Sequence, residues 1–283
     1  MKTLKQYRKY PFSFLLKILL WLSVIVTIGV VITIVGYILF KGIPNLNMDL
    51  FAWNYNTTNV SMTPALINTF IMIVLTLLIA LPIGVFSAIY LVEYAKKGSK
   101  LVKIIRMTTE TLQGIPSIVF GLFGFLFFVI GLGWNYSLLS GVLTMAIMIL
   151  PLIMRTTEEA LIAVPDSYRE GSFGLGAGKL RTVFKVVLPT AIKGILSGVI
   201  LAIGRMVGET AALIFTAGTM ARVPDSLFSS TRTLSVHMYA LLNEGLYQEQ
   251  AYATAVVLLV FVLIMNALSG YIARKVTRGK NDE

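Results

Sequence analysis

Long apolar runs, separated by short polar segments, dominate this sequence. The first run without a charged residue, 18–40, has 23 residues, and about 20 apolar residues are enough for a helix to cross a bilayer. Five later runs reach or approach this length. They cover residues 67–92, 115–132, 136–154, 191–217 and 251–273. The pattern predicts an all-α membrane protein with six transmembrane helices.

The first apolar run lies where a signal peptide would lie. A signal peptide has an apolar core of roughly 7–15 residues that is followed by small residues at a cleavage site, and neither feature fits this run. We therefore expect a retained first helix. The predicted organisation is an N-terminal tail, first helix and loop over 1–61, a helical core over 62–274 and a short tail over 275–283.

The stretch 93–114 is basic and has a helical pattern. Three lysines share one helical face and three apolar residues take the other. They are Lys96, Lys100 and Lys103 on the first face and Leu101, Ile104 and Ile105 on the second. This pattern is typical of a helix that lies at the membrane interface. Simple charge flanking of a membrane span explains it equally well, and both interpretations stay open.

Composition supports a membrane protein. Hydrophobic residues make up 57% of the chain, against about half in soluble domains. The net charge of +11 would suggest a nucleic-acid partner in a soluble protein, but here the basic residues flank apolar runs, as in membrane proteins. Nucleic acid is therefore not an expected partner. The absence of cysteine excludes disulfides and thiolate metal sites.

The distribution of Lys and Arg predicts the orientation of the chain. Of the 24 basic residues, nineteen lie in 1–17, 93–114, 155–189 and 274–283, which fall on one side of the membrane. The other side receives Lys41, Arg222 and Arg232. Because Lys and Arg are enriched in cytoplasmic loops, we expect both termini and the 155–189 loop to face the cytoplasm.

Arg205 and Glu209 are the only base and acid well inside a predicted membrane helix. A charge at the bilayer centre costs about 2.5–3.5 kcal/mol on insertion scales, so both side chains should face protein or water. The pair could simply neutralise itself. Alternatively, Arg205 forms part of an anion path, because a guanidinium matches an oxyanion, and Glu209 restrains it. Two Gly-x-x-x-Gly pairs on the same run predict close helix packing; they are Gly194 with Gly198 and Gly204 with Gly208.

Other chemistry is sparse in this sequence. His237 is the only histidine, no residues near it have the spacing of metal ligands, and we predict a surface position for it. No metal site is expected. The sequence also lacks a nucleophile elbow, a zinc-binding helix and a nucleotide-binding loop, so we expect no catalytic residues.

The polar segment 155–189 concentrates charge in a chain of which only 13% of residues are charged. It contains Glu170-Gly171-Ser172, then Gly176 six positions after the Glu, and then, after nine residues, Val186 with Leu188-Pro189. This spacing resembles the cytoplasmic loop motif of ABC importer permeases, which reads Glu-Ala-Ala, three residues, Gly, nine residues, Ile-x-Leu-Pro. The substitutions keep small residues small and a β-branched residue β-branched.

The resemblance implies the fold of type I ABC importer permeases, with both termini cytoplasmic and the 155–189 loop docking an ATPase. The residues that it assigns to docking are Tyr168, Arg169, Glu170, Gly171, Ser172 and Gly176. It also implies the partners, namely a homologous second permease, two copies of a cytoplasmic ATPase and an extracytoplasmic binding protein. The chain itself would be no enzyme and would hold no cofactor, since ATP and Mg²⁺ would bind the ATPase.

Two further stretches, GIPSIVFGLFG at 114–124 and Gly208-Glu209-Thr210-Ala211, resemble the A-type permease of phosphate-specific ABC importers. Ala212 stands where that family usually has Pro. The implied function is half of the phosphate path of an ATP-driven importer in the cell membrane, with Arg205 and Glu209 on the path. Two alternatives remain: an ABC permease for phosphonate, sulfate or molybdate, or a proton-coupled secondary transporter that uses Glu209.

Overall fold

The computed structural model describes residues 11–96 and 98–278, with side chains for 12–96 and 98–275. Parts of the predicted tails, 1–10 and 279–283, lie outside the described residues. All regular structure in the described ranges is helical. The helices are α1 Pro11–Gly42, α2 Thr63–Ile89, α3 Lys100–Gln113, α4 Ser117–Gly124, α5 Leu138–Ile162, α6 Asp166–Gly174, α7 Lys179–Thr182, α8 Leu188–Val207, α9 Ala211–Thr216, α10 Leu234–Glu244 and α11 Gln248–Arg278. This confirms the predicted all-α class.

Short helical turns extend or connect several of these helices. Two 3₁₀ turns, Ile43–Asn45 and Met48–Phe51, follow α1. The remaining three are π-helical. Tyr90–Tyr94 extends α2, Phe125–Gly131 extends α4, and Val183–Val187 joins α7 to α8. Such π-helical turns often occur at functional sites.

Five described segments are long and apolar enough to cross a membrane as single helices. They are Phe12–Asn45, Thr63–Tyr94, Leu138–Ile162, Lys179–Val207 and Gln248–Lys275. A sixth crossing needs α3 together with Ser117–Gly131, and these two helices meet at a bend of 102°. Ser117–Gly131 alone would span about 22 Å. The hydrocarbon core of a bilayer is thicker, at about 30 Å. The third predicted crossing, 115–132, is therefore half of a bent element.

The bend between α3 and α4 has a local cause and a tertiary one. Pro116 cannot continue a helix from α3, and it disfavours the helical conformation at the residue before it. The side chain of Gln113, at the end of α3, donates to the carbonyl of Pro151 on α5 at 3.0 Å. Nearer the start of α3, Arg106 pairs with Glu158 at 2.6 Å. These contacts place α3 antiparallel along the second half of α5.

Small residues allow α5 and α8 to pack closely. A Cβ atom on Gly198 would lie 2.0 Å from the hydroxyl oxygen of Thr156, and one on Gly194 would lie 2.6 Å from Ala160. The predicted close approach is confirmed for this Gly-x-x-x-Gly pair. Within the described residues the second pair has no such neighbour, because Gly208 has no atom within 4 Å and Gly204 has only Asn266, at 3.9 Å.

The bundle has two ends, which we name by their loops. The motif end contains residues 90–114 and 155–189, and the opposite end contains residues 41–66 and 218–247. Between them lies the main apolar core, formed by buried side chains of α2, α4, α5, α8, α9, α10 and α11. Fully buried members include Met72, Met145, Ile149, Met206 and Leu213.

Candidate functional site

The predicted docking motif forms a helix, a glycine bend and a second helix at the motif end. α6 covers Asp166–Gly174, and Gly176 has φ of +80°, a backbone conformation that glycine adopts without strain. Beside the bend, Leu175 is 91% exposed, and Tyr168 and Leu180 are also exposed. Large exposed apolar side chains grouped at one site indicate an interaction surface.

The predicted docking residues are not all on this exposed surface. Tyr168, Glu170, Gly171 and Gly176 are exposed, and a Cβ atom on either glycine would meet nothing within 4 Å. Ser172 instead faces α7, where its hydroxyl lies 2.9 Å from that of Thr182. This hydrogen bond joins α6 to α7, the two helices of the motif.

Arg169 also turns away from the exposed surface. Its side chain, 14% exposed, pairs with Glu93 at 2.7 Å, beyond the end of α2. No sequence pattern predicted a role for Glu93. The one feature that distinguishes it in the sequence is that no other acidic residue lies between Asp49 and Glu110.

The second predicted site lies where α8 ends. The expectation that Arg205 and Glu209 lie one turn apart on a continuous helix is wrong, because α8 ends at Val207 and α9 begins at Ala211. Glu209 is 7% exposed, and its carboxylate accepts from the backbone N–H of Ala212 at 3.1 Å. This hydrogen bond caps the first turn of α9. The capping carboxylate and the weak helix former Gly208 explain the break.

Tertiary contacts hold the α8–α9 break in place. The hydroxyl of Ser235, on α10, donates to the carbonyl of Glu209 at 2.6 Å. On the other side, a Cβ atom on Gly121 of α4 would lie 2.8 Å from the Cα of Ala212. The short helix α9 is thus held between α4 and α10. Its position fixes where α8 stops.

Arg205 lies in the last turn of α8 and is half-buried. No hydrogen bond or ion pair joins its guanidinium to any residue that the structure describes, Glu209 included. The interpretation of the two residues as a neutralising ion pair is therefore wrong for this conformation. A guanidinium offers five N–H donors, and those of Arg205 are available to a ligand or a partner.

The face of α8 that holds Arg205 is left uncovered by the rest of the chain. At helical spacing along it, Lys193, Ser197, Leu201 and Gly208 are exposed. Beside these residues is an open groove of about 280 Å³, lined by residues of α5 and α8. The face combines small, polar and basic side chains, which suits contact with water or with a second protein better than contact with lipid.

A buried polar cluster lies at the opposite end, where sequence analysis predicted a surface histidine. That prediction for His237 is wrong, because its side chain is fully buried and neither ring nitrogen has a described hydrogen-bond partner. Arg232 is also buried, and its Nε and Nη2 likewise have no described partner. Tyr55 lies between them, with its ring 4.7 Å from the Arg232 guanidinium and edge-on to His237.

The environment of this cluster disfavours its charged forms. Burial lowers the pKa of His237 from 6.5 to about 3, and the charge of Arg232 adds to this effect. Burial also lowers the pKa of Arg232. His237 is therefore neutral at physiological pH. Nothing in the sequence pattern marked the cluster, because Tyr55 lies far along the chain from Arg232 and His237, which are five residues apart.

No described group of three or more His, Cys, Asp or Glu residues could hold a metal ion. A cavity of about 590 Å³ lies at the motif end and is lined by Glu93, Lys96, Arg106, Arg169 and Lys179 among others. The candidate sites for partners or ligands are the predicted docking motif, with its exposed Tyr168 and Leu175, and the uncovered face of α8, with the unpaired guanidinium of Arg205.

Comparison with known sequences places the chain in a family. Residues 80–278 match the family described as "Binding-protein-dependent transport system inner membrane component". The chain is 34% identical over 261 residues to a probable ABC transporter permease protein, YqgI, of Bacillus subtilis, covering 84% of this chain and 87% of that protein. It is also 34% identical over 236 residues to the phosphate transport system permease protein PstA of Xylella fastidiosa, covering 80% of each chain.

Solved structures of ABC transporters share the fold. A chain of a bacterial alginate ABC transporter, in complex with a pentasaccharide-bound periplasmic protein, superposes with a TM-score of 0.70 at 14% identity, covering 96% of this chain and 98% of that one. A chain of the MetNI methionine ABC transporter, in an inward-facing conformation, superposes with a TM-score of 0.60 at 22% identity. The match covers 76% of this chain and 94% of that one. Together with the sequence family, these likenesses identify the chain as a multi-pass membrane permease of the type I ABC importer fold, and it belongs to the family of binding-protein-dependent transport system inner membrane components.

Proposed function

We propose that this chain is the A-type permease subunit of an ATP-driven phosphate importer and forms half of the anion path. Relatives named as phosphate transport system permeases match most of the chain, among them PstA of Xylella fastidiosa and PstA 2 of Mycobacterium bovis, the latter 32% identical over 253 residues. A homologous second permease would cover the exposed face of α8. Two copies of an ATPase would dock at the motif end, and a phosphate-binding protein would dock at the opposite end.

ATP hydrolysis belongs, in this proposal, to the separate ATPase subunits, which would hold ATP and Mg²⁺. This chain supplies the movable path. Nucleotide-driven closure of the ATPases displaces the docked α6 loops and rocks the two permeases against each other. The path then opens alternately to the two sides of the membrane.

The observation that carries the proposal is the unpaired guanidinium of Arg205 on the uncovered face of α8. A bare cation inside a membrane protein is unfavourable unless an anion or water meets it. A guanidinium offers an oxyanion a planar fork of donors, which an ammonium cannot reproduce. We assign Arg205 to direct contact with phosphate.

We assign Glu209 a positioning role. Its carboxylate caps α9, and the cap fixes the break that ends α8 next to Arg205. The amide oxygen of a glutamine can accept the same hydrogen bond, whereas leucine cannot. Glu209→Gln should therefore retain most phosphate uptake, and Glu209→Leu should lower it.

The test compares Arg205 variants in complexes reconstituted with their partners. Arg205→Leu should reduce phosphate uptake at least about tenfold, because hydrogen bonds to charged groups contribute about 1.5–3 kcal/mol, and Arg205→Lys should also be impaired. Lys103→Leu, which removes an exposed cation of α3, is the matched control and should transport normally. Wild-type uptake by Arg205→Leu, at equal amounts of assembled complex, would show that Arg205 is not on the path.

A further inference from the structure

Every donor of the Arg169 guanidinium is engaged inside the chain. Nη2 donates to the carboxylate of Glu93 at 2.7 Å and to the carbonyl of Leu161 at 2.9 Å. Nε donates to the same carboxylate at 3.1 Å. Nη1 donates to the carbonyl of Val164 at 2.7 Å and to the carboxylate of Asp166 at 3.2 Å. One side chain of the docking helix thus bonds groups on three different elements.

The three elements are those that docking would have to move together. Leu161 is in the last turn of α5, and its carbonyl also accepts from the backbone N–H of Val164 at 3.3 Å. Asp166 begins α6, the docking helix. Glu93 lies in the π-helical turn Tyr90–Tyr94 that extends α2. Arg169 therefore fastens the docking helix both to the helix that leads into it and to the end of α2.

The link to α2 is short and shielded from water. The side chains of Glu93 and Arg169 are 8% and 14% exposed, and the guanidinium meets the carboxylate through both Nη2 and Nε. Such paired hydrogen bonds fix geometry as well as distance. Among the described residues, no other hydrogen bond or ion pair joins α6 to the end of α2. Next to the pair lies a cavity of about 590 Å³. The apolar cluster at this end joins Ala88 and Ile89 of α2 to Leu161, Val164, Val183 and Val187, none of which belongs to α6.

One further contact connects this end of α2 to the motif. The ammonium of Lys179, which begins α7, lies 5.0 Å from the ring centroid of Tyr94. A cation–π contact of this kind is weaker and less directional than a paired ion bridge. It also reaches α7 rather than the docking helix. The ion pair is therefore the direct polar connection between α6 and α2.

We infer that the Glu93–Arg169 pair is the coupling joint through which displacement of the docking helix moves α2. The inference rests on the proposed function, because it assumes that an ATPase displaces α6. The α5 and α7 connections of α6 are to its own chain neighbours, whereas α2 is separated from it by about seventy residues of sequence. Without the pair, a displaced α6 would act directly only on its chain neighbours α5 and α7, and it would reach the end of α2 through the weaker Lys179–Tyr94 contact. Glu93 and Arg169 are thus positioning residues for transport.

The test measures coupling in the complete reconstituted complex. In Glu93→Gln, ATP hydrolysis should continue, while the amount of phosphate imported per ATP should fall at least about fivefold, the low end of ordinary coupling effects. Glu93→Asp, which keeps a carboxylate, should restore part of the coupling. The matched control is Glu110→Gln, because Glu110 pairs with Arg155 at the same end but is largely exposed, and it should couple normally.

A second readout does not depend on the transported anion. The chain has no cysteine. A single cysteine that replaces the exposed Tyr90 therefore reports the surroundings of the end of α2. Its thiol-labelling rate should change when the wild-type complex is trapped with ATP and vanadate, and that change should vanish with Glu93→Gln. Wild-type complexes could fail to import phosphate and still show the expected change in labelling rate. In that case the proposed substrate would be wrong, and the coupling role of the Glu93–Arg169 pair would be supported. A Glu93→Gln complex that couples and labels like wild type would overturn the joint.

Discussion

At the scale of single residues, His237 shows how burial reverses a prediction made from composition. A lone histidine in a polar loop would ordinarily be solvated, but α10 packs its side chain against Tyr55 and Arg232. No local pattern reveals this, because Tyr55 is distant in the sequence and the burial of His237 depends on tertiary packing. Arg205 and Glu209, in contrast, could be singled out from the sequence as candidates, because they are charged residues in an apolar run. The helix break between them could not be predicted, because it depends on contacts with α4 and α10.

The lowered pKa of His237 predicts a pH dependence of stability. Its pKa is about 3 in the folded chain and 6.5 ordinarily, so the unfolded chain binds more protons between these values. Stability is therefore highest above pH 6.5 and decreases as the pH falls toward 3, by about 2 kcal/mol at pH 5.

Thermal unfolding of the purified complex in detergent, at pH 7.5 and pH 5, checks this dependence. Wild type should lose more thermal stability between the two pH values than His237→Phe, which cannot be protonated. Equal losses in both proteins would show that His237 does not contribute.

At the scale of elements, apolar run lengths predicted which parts of the chain are helical but not where helices bend. The run 191–217 contains no turn signal stronger than Gly208, yet the helix stops there. The run 115–132 contains Pro116 at its second position, but the sharp angle to α3 also depends on Gln113 reaching Pro151. In both places a contact between distant segments decides the geometry.

Close packing between α4 and α9 should be essential to the α8–α9 break. A Cβ atom on Gly124 would meet the side chains of both Thr144 and Thr216, with its nearest atom the Thr144 hydroxyl. Gly124→Val should therefore destabilise the chain by about 1–3 kcal/mol, the usual cost of overpacking a core.

The measurement is the thermal unfolding midpoint of the purified complex, with Gly270→Val as control, since a Cβ atom there meets nothing within 4 Å. A Gly124→Val complex as stable as the Gly270→Val complex would contradict the packing assigned to α4 and α9.

At the scale of the whole molecule, the chain leaves large surfaces for partners. α1 contacts α11 near Tyr37 and Gly42, where the two tyrosines 37 and 252 meet, while most of its apolar side chains are exposed. The face of α8 and the docking motif are uncovered as well. The sequence spacing predicted a docking motif at 155–189, and the structure has an exposed helix, glycine bend and second helix there. Sequence patterns could not show that Arg169 turns inward, since Glu93 lies far away in the sequence.

The central claim is that this permease imports phosphate at the expense of ATP. The most direct test reconstitutes the chain with its second permease, ATPase and binding protein in proteoliposomes and measures uptake of labelled phosphate. We expect uptake that requires ATP, persists without a proton gradient and is not suppressed by excess sulfate, molybdate or phosphonate. Uptake driven by a proton gradient without ATP, or stronger transport of another oxyanion, would contradict the account.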